Sequence, residues 1–152
     1  MRILVRKLSR NDNNEQFREL QKNFLEKMDS FDSNFSEGTY IFDTYDSDDE
    51  DICFIALKDK KILGYAELYF EDEYYENRQT YIISGIYVLE EYQGYGIGAL
   101  LIQNIKEYAQ ENNINILYGS VLPGNDDARR FLENQSFEKC SSESYVMKIR
   151  QK

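Results

Sequence analysis

A mixed α/β fold, one mostly antiparallel sheet with helices on both faces, is what this sequence predicts, and three observations predict it. Short apolar stretches at 52–58, 61–70 and 79–89 have the length and β-branched or aromatic content of strands. Apolar residues recur at helical spacing from Phe17 to Met28 and again over 96–112. The second helical run lies between two strand-like runs, a crossover that favours a parallel pair, whereas the tight turns elsewhere favour antiparallel pairs.

Residues 2–7 read as a short strand. Asn11-Asp12 offers a cap for the first helix, whose apolar positions are Phe17, Leu20, Phe24, Leu25 and Met28. Residues 29–51 are polar and acidic, with Phe31, Phe35, Tyr40, Ile41 and Phe42 among them; a short helix or turn is expected, then a mobile loop over 43–51. Strands at 52–58 and 61–70 form a hairpin about Asp59-Lys60, an acidic loop spans 71–78, and a long strand runs over 79–89. Gly85 interrupts that strand and suggests a bulge. The helix at 96–112 turns Leu100, Leu101, Ile105, Tyr108 and Ala109 to one side. A strand at 114–122, a turn and cap at Pro123-Gly124-Asn125, a helix at 126–135 and a hairpin of 137–140 with 145–149 complete the order. Residues 1–152 read as one domain, with no internal repeat and no linker.

Composition excludes several kinds of chemistry. Histidine is absent, which removes Ser-His and Cys-His nucleophilic sites and histidine metal sites, and no metal is expected. Cys53 and Cys140 lie in strand-like runs and read as buried, reduced thiols. A net charge of −10 disfavours nucleic-acid binding and suits a cationic partner. No apolar run reaches the ~18 residues of a membrane span, and the N-terminal apolar stretch is too short for a signal peptide, so no membrane contact and a cytoplasmic location are expected.

The most informative stretch is Gln93-Gly94-Tyr95-Gly96-Ile97-Gly98-Ala99, at the junction of the long strand and the following helix. Glycines at alternate positions bare the backbone N–H groups at the positive end of a helix, a site suited to a phosphate or pyrophosphate. Gly94-x-Gly96-x-x-Ala99 also fits the loose dinucleotide-binding pattern, but the acidic residue expected about 20 residues on is missing from Tyr118-Gly119-Ser120-Val121. Too little chain follows the loop to complete a doubly wound sheet, and a nicotinamide oxidoreductase is disfavoured.

Gln93-x-x-Gly96-x-Gly98 resembles motif A of the GCN5-related N-acetyltransferases, the GNAT superfamily, and Asn125-x-x-Ala128-x-x-Phe131 followed by Ser136-Phe137 resembles its motif B. Val5-Arg6-Lys7-Leu8, Ile62-Leu63-Gly64-Tyr65 and Tyr145-Val146-Met147-Lys148 fit the family outline, so the resemblance covers nearly the whole chain. It implies a splayed strand pair that receives acetyl-CoA as co-substrate and transfer of its acetyl group to an amine. It implies roles for particular residues. The backbone N–H groups of Gln93, Gly94, Tyr95, Gly96, Ile97, Gly98 and Ala99 would hold the pyrophosphate. The backbone of Ile86, Tyr87 and Val88 would pair with the pantetheine arm. An N–H near Val88 would stabilise the tetrahedral oxyanion, and Asn125 would contact the cofactor arm.

Two departures stand out. The tyrosine that many relatives carry after the position of Phe131, and that protonates the departing thiolate, is Leu132 here; Tyr118 and Tyr145 are weak substitutes. The glycine usual before the motif B phenylalanine is Ser136. The strand leading to motif A carries no acid, which leaves Glu67 and Glu71 as the nearest candidates for a general base, with Glu67 preferred. The expected reaction is direct attack by a small, cationic acceptor's primary amine in a ternary complex; the alternative is a catalytically silent CoA-binding sensor or interaction module. The acidic runs at 43–51 and 71–76 read most simply as solvated loops, and alternatively as a negative vestibule for a cationic acceptor. Either a monomer or a homodimer is compatible with the sequence.

Overall fold

A computed structural model of the chain describes residues 2–39, 41, 43, 44 and 51–150. Tyr40, Phe42 and the acidic residues Asp48, Asp49 and Glu50 lie outside these, and with them most of the anticipated 43–51 loop.

The sheet has seven strands: β1 (Leu4–Lys7), β2 (Asp51–Lys58), β3 (Lys61–Tyr75), β4 (Arg78–Val88), β5 (Ile116–Ser120), β6 (Glu138–Lys139) and β7 (Ser144–Lys148). Their spatial order is β1-β2-β3-β4-β5-β7-β6. The β4–β5 pair is parallel and every other pair antiparallel, as the single crossover requires. Helix α1 (Asn14–Asp29) covers one face of the sheet. Helix α2 (Ile97–Glu111) and Leu132 of α3 (Asp126–Asn134) join the core on the other. The alternation of strand side chains divides the core: Ile52, Phe54 and Ala56 of β2 pack with α2, whereas Cys53, Ile55 and Leu57 pack with Phe17 and Leu20 of α1.

Several local expectations are corrected. The first helix is capped by Asn13, whose side chain accepts from Gln16 N–H at 3.1 Å; Asp12 is occupied instead by a two-pronged bond from Arg6 at 2.6 and 2.9 Å and by Ser9 N–H at 2.7 Å. Those donors, chiefly the Arg6 guanidinium, hold the Asp12 carboxyl below its usual range. Residues 71–78 are strand, not loop: β3 runs to Tyr75, β4 starts at Arg78, and Glu76 and Asn77, at φ 53° and 56°, make the two-residue turn between them. Leu100 is exposed on α2 and Ile102 takes its place inside, because the buried face follows Ile97, Leu101, Ile105 and Ala109. Cys53 is buried and its thiol pushed up by desolvation, but Cys140 is exposed beyond the two-residue β6; both thiols are free.

Ser136 has φ 70°, in the left-handed region that glycine favours. It follows the C-cap of α3, where Phe137 N–H returns to the Leu132 carbonyl at 3.0 Å and Ser136 N–H to that of Glu133 at 3.0 Å. That geometry suits the glycine that the resemblance leads one to expect there. Among the described residues, no helix is long and apolar enough to cross a membrane.

Candidate active site

The site begins with a fault in the β3–β4 ladder. Glu67 pairs with Gly85 and Leu68 with Ile83, so Ser84 is an extra residue and the bulge expected near Gly85 is present. The parallel β4–β5 pairing ends there, at Ile83 with Gly119. Past Ile83 the two strands part, and Val121 N–H turns instead to the Glu143 carbonyl at 2.7 Å, on the β7 side.

The register fixes which backbone groups face the gap. Leu89 N–H donates to the Leu63 carbonyl at 2.8 Å, so hydrogen-bonded pairs continue at Tyr87 with Tyr65 and at Gly85 with Glu67. Tyr87 therefore spends its N–H and carbonyl on β3. Ile86 and Val88, in the alternate pairs, turn theirs away from β3 toward the gap. The Val88 carbonyl accepts from Gln93 Nε2 at 2.8 Å, which ties the glycine loop to the strand end. What remains directed into the gap is the N–H of Val88 and both polar groups of Ile86.

The loop runs through a short 3₁₀ turn, Glu90–Tyr92, into α2. Gln93 N–H is already bonded to the Glu90 carbonyl at 3.2 Å, so the bare donors start at Gly94. Gly94 and Gly96 have φ 87° and 80°, and a Cβ on either would meet nothing within 4 Å: a side chain there meets strain and open space, not protein. The first intrahelical bond is Leu100 N–H to the Gly96 carbonyl at 3.1 Å, which leaves the N–H groups of Ile97, Gly98 and Ala99 at the positive helix end. Tyr95 is 66% exposed and stands clear of the loop. Gly98 differs from its neighbours: it lies inside α2, and a Cβ there would come within 2.8 Å of the Phe131 ring, so it serves packing between α2 and α3. Asn125 is buried, caps α3 by accepting from Ala128 N–H at 3.3 Å, and lines the cavity.

A cavity of about 680 Å³ joins the gap to the α1 side of the sheet. Its walls include Ile86, Val88, Gly96 and Asn125 on one side and Phe24, Lys27, Met28, Phe35 and Tyr69 on the other. The second group was not evident from the sequence as site residues. Leu132, Ser84 and Ser120 also line the cavity. Tyr118 and Tyr145 do not: Tyr118 donates to Ser144 Oγ at 2.6 Å, and Tyr145, 1% exposed, donates to Glu133 Oε1 at 3.1 Å. Glu67 is half-buried beside the cavity without lining it. Burial, then the nearby Asp51 carboxylate, raises its pKa to about 7, against a smaller lowering by a hydrogen bond from Ser84. The Ser84 hydroxyl also reaches the Glu67 carbonyl at 3.2 Å. Among the described residues no cluster of side chains suited to a metal ion is present.

A sequence model described as the acetyltransferase (GNAT) family matches residues 14–137. The chain belongs to that family. By that membership it is an acyl-CoA-dependent acetyltransferase. No curated protein matches the sequence. Solved structures share the fold at low identity. A putative GNAT acetyltransferase from Desulfovibrio desulfuricans has a TM-score of 0.75 at 16% identity, with 98% of this chain and 100% of that one covered. The PaiA N-acetyltransferase of Thermoplasma acidophilum, in complex with coenzyme A, has 0.69 at 20%, with 99% of each covered. An aminoglycoside 6′-N-acetyltransferase from Acinetobacter baumannii has 0.71 at 13%, with 92% and 93% covered.

Proposed function

We propose that this acetyltransferase binds acetyl-CoA in the gap between β4 and β5 and transfers the acetyl group to the primary amine of a small molecule, without a covalent enzyme intermediate. The observation that carries this is the continuity of the bare donors: Val88 N–H and the Ile86 backbone face the gap, and the N–H groups of Gly94 to Ala99 continue the line at the mouth of α2. A pantetheine arm ending in a pyrophosphate has that shape and polarity.

In this reading the amine nitrogen attacks the thioester carbonyl from the α1 side. Val88 N–H receives the oxyanion of the tetrahedral adduct. The C–S bond then breaks and the thiolate departs, at little cost because a thiol's ordinary pKa is about 8.5. Leu132 donates no proton, so water in the open mouth of the gap supplies one. The amine's proton leaves toward Glu67 through Ser84, whose hydroxyl lies between the cavity and that carboxyl. A base titrating near 7 is matched to this task at neutral pH. Positioning of the two reactants supplies most of the acceleration.

The test is thiol release from acetyl-CoA over a panel of primary amines. Amine-dependent release, with one acetylated product per thiol, is expected. Acetyl-CoA bound tightly but never consumed would favour the silent-sensor reading, to which Leu132 lends support.

A further inference from the structure

The α1 side of the cavity has a chemistry of its own. Phe24, Met28, Phe35 and Tyr69 make an apolar, largely aromatic wall, and among the described residues that line it Lys27 is the charged member. Phe24 is fixed by edge-on contacts with Phe35 and Tyr87, at centroid distances of 6.2 and 6.5 Å. Phe35 is carried by turns following α1, which Ser36 pins to the Asp29 carboxylate at 2.6 and 2.8 Å. The wall is thus braced from two sides and offers aromatic faces to a ligand.

Among the described residues this wall carries a cation where the net charge suggests acids. Among the described residues, none of the ion pairs involves Lys27. The carboxylates that do line the cavity, Asp127 and Glu143, come from α3 and the approach to β7, and Asp127 is bonded to Arg130 at 2.5 Å. Asp43, the described start of the supposed vestibule, is held by Arg18 at 2.6 Å and Asn14 at 3.1 Å, in the first half of α1. Arg18 and Lys27 are separated by roughly 13 Å along the helix. Among the described residues that line this wall none carries a carboxylate, so a polyamine seated on it would place an ammonium against aromatic carbon and beside a lysine, with Glu67 behind Ser84 as the nearby acid.

We infer that the acceptor is an amine with an apolar body that also carries a carboxylate, the body held by Phe24, Phe35 and Tyr69 and the carboxylate by Lys27. Lysine near a helix C-terminus also answers the helix dipole, a role that needs no ligand; the test must separate the two. The inference rests on the acetyl-transfer reading above.

Thiol release is measured at saturating acetyl-CoA with L-phenylalanine, L-phenylalanylglycine, phenethylamine and spermidine. The better of the two carboxylate-bearing probes should exceed phenethylamine in kcat/KM by about 10- to 100-fold, the worth of one charged hydrogen bond, and spermidine should rank last. Lys27→Met should bring that probe down to the level of phenethylamine, while phenethylamine turnover and acetyl-CoA affinity stay unchanged. Spermidine ranking first, or Lys27→Met lowering all amines alike, would overturn the inference and leave acetyl transfer standing. Acetyl-CoA that no amine consumes would overturn both.

Discussion

In the proposed function the two sides of the splayed sheet recognise their ligands by different means. On the side of the glycine loop, recognition would belong to the backbone: the proposed donors are N–H groups of Ile86, Val88 and Gly94 to Ala99, aimed by a bulge, a strand register and a helix start. On the α1 side it would belong to side chains, gathered from α1, the turns after it and β3. Backbone recognition needs a contiguous segment with little side-chain freedom; side-chain recognition draws single residues from elements far apart in the chain. The difference predicts that changes on the two sides separate cleanly, one set acting on acetyl-CoA affinity and the other on acceptor turnover.

The largest effect should come from Glu67→Gln. With the base removed, kcat/KM should fall by roughly 100-fold or more, and the rise in rate as pH passes about 7 should disappear, with acetyl-CoA affinity unchanged. The same carboxyl links to stability. Its folded pKa is raised, so its contribution is fully present below the unfolded value of 4.5 and is lost as pH rises through about 7. Wild-type melting temperature should therefore drop between those pH values by more than that of the variant, as read by thermal melts in matched buffers. A Glu67 variant with weakened acetyl-CoA binding would break the separation of the two sides.

Gly98→Val tests the other side. A Cβ at position 98 would overlap the Phe131 ring at 2.8 Å, so the ring or α3 must shift, and a loss of about 1–3 kcal/mol in unfolding free energy is expected. Pairing it with Phe131→Ala should recover part of that loss, which a double-mutant cycle in denaturant would show as coupling. Additive losses would mean that the Gly98 position is not kept bare for Phe131.

Two smaller changes should leave both sides alone. Ser136→Gly relieves a left-handed residue and should stabilise by about 1 kcal/mol with catalysis unaltered. Tyr145→Phe removes a buried hydroxyl bonded to Glu133 and should cost about 1 kcal/mol. Because Tyr145 does not line the cavity, its activity should persist; a large drop in kcat would place the missing thiolate proton donor there after all.

The same contrast explains what was legible in the sequence. The strand and helix order and the crossover could be read because each rests on local periodicity, and Gln93 to Ala99 because a phosphate-binding loop is contiguous. The 71–78 segment reads as loop because its acids and tyrosines look polar in sequence; pairing of β3 with β4, Glu71 with Thr80 and Tyr75 with Arg78, makes it sheet, and Tyr74 packs on Tyr118 of β5 with 5.0 Å between ring centres. The cap on α1 shifted to Asn13 because Arg6, six residues upstream, claims Asp12. Gly98 looked like its neighbours until Phe131 was placed against it. Phe24, Lys27 and Phe35 carried no site signal at all: at helical spacing an aromatic reads as core, and a lysine near a helix end reads as surface.

At the centre of the proposed function is the glycine loop as the place where acetyl-CoA is held. Calorimetric titration of the purified protein with acetyl-CoA, beside a Gly96→Glu variant shown by circular dichroism to be folded, tests this directly. One site per chain is expected in the wild type and none in the variant, because position 96 opens into the space the pyrophosphate would take and the new side chain adds a negative charge there. Equal binding by the two proteins, or no binding by folded wild type, would contradict it.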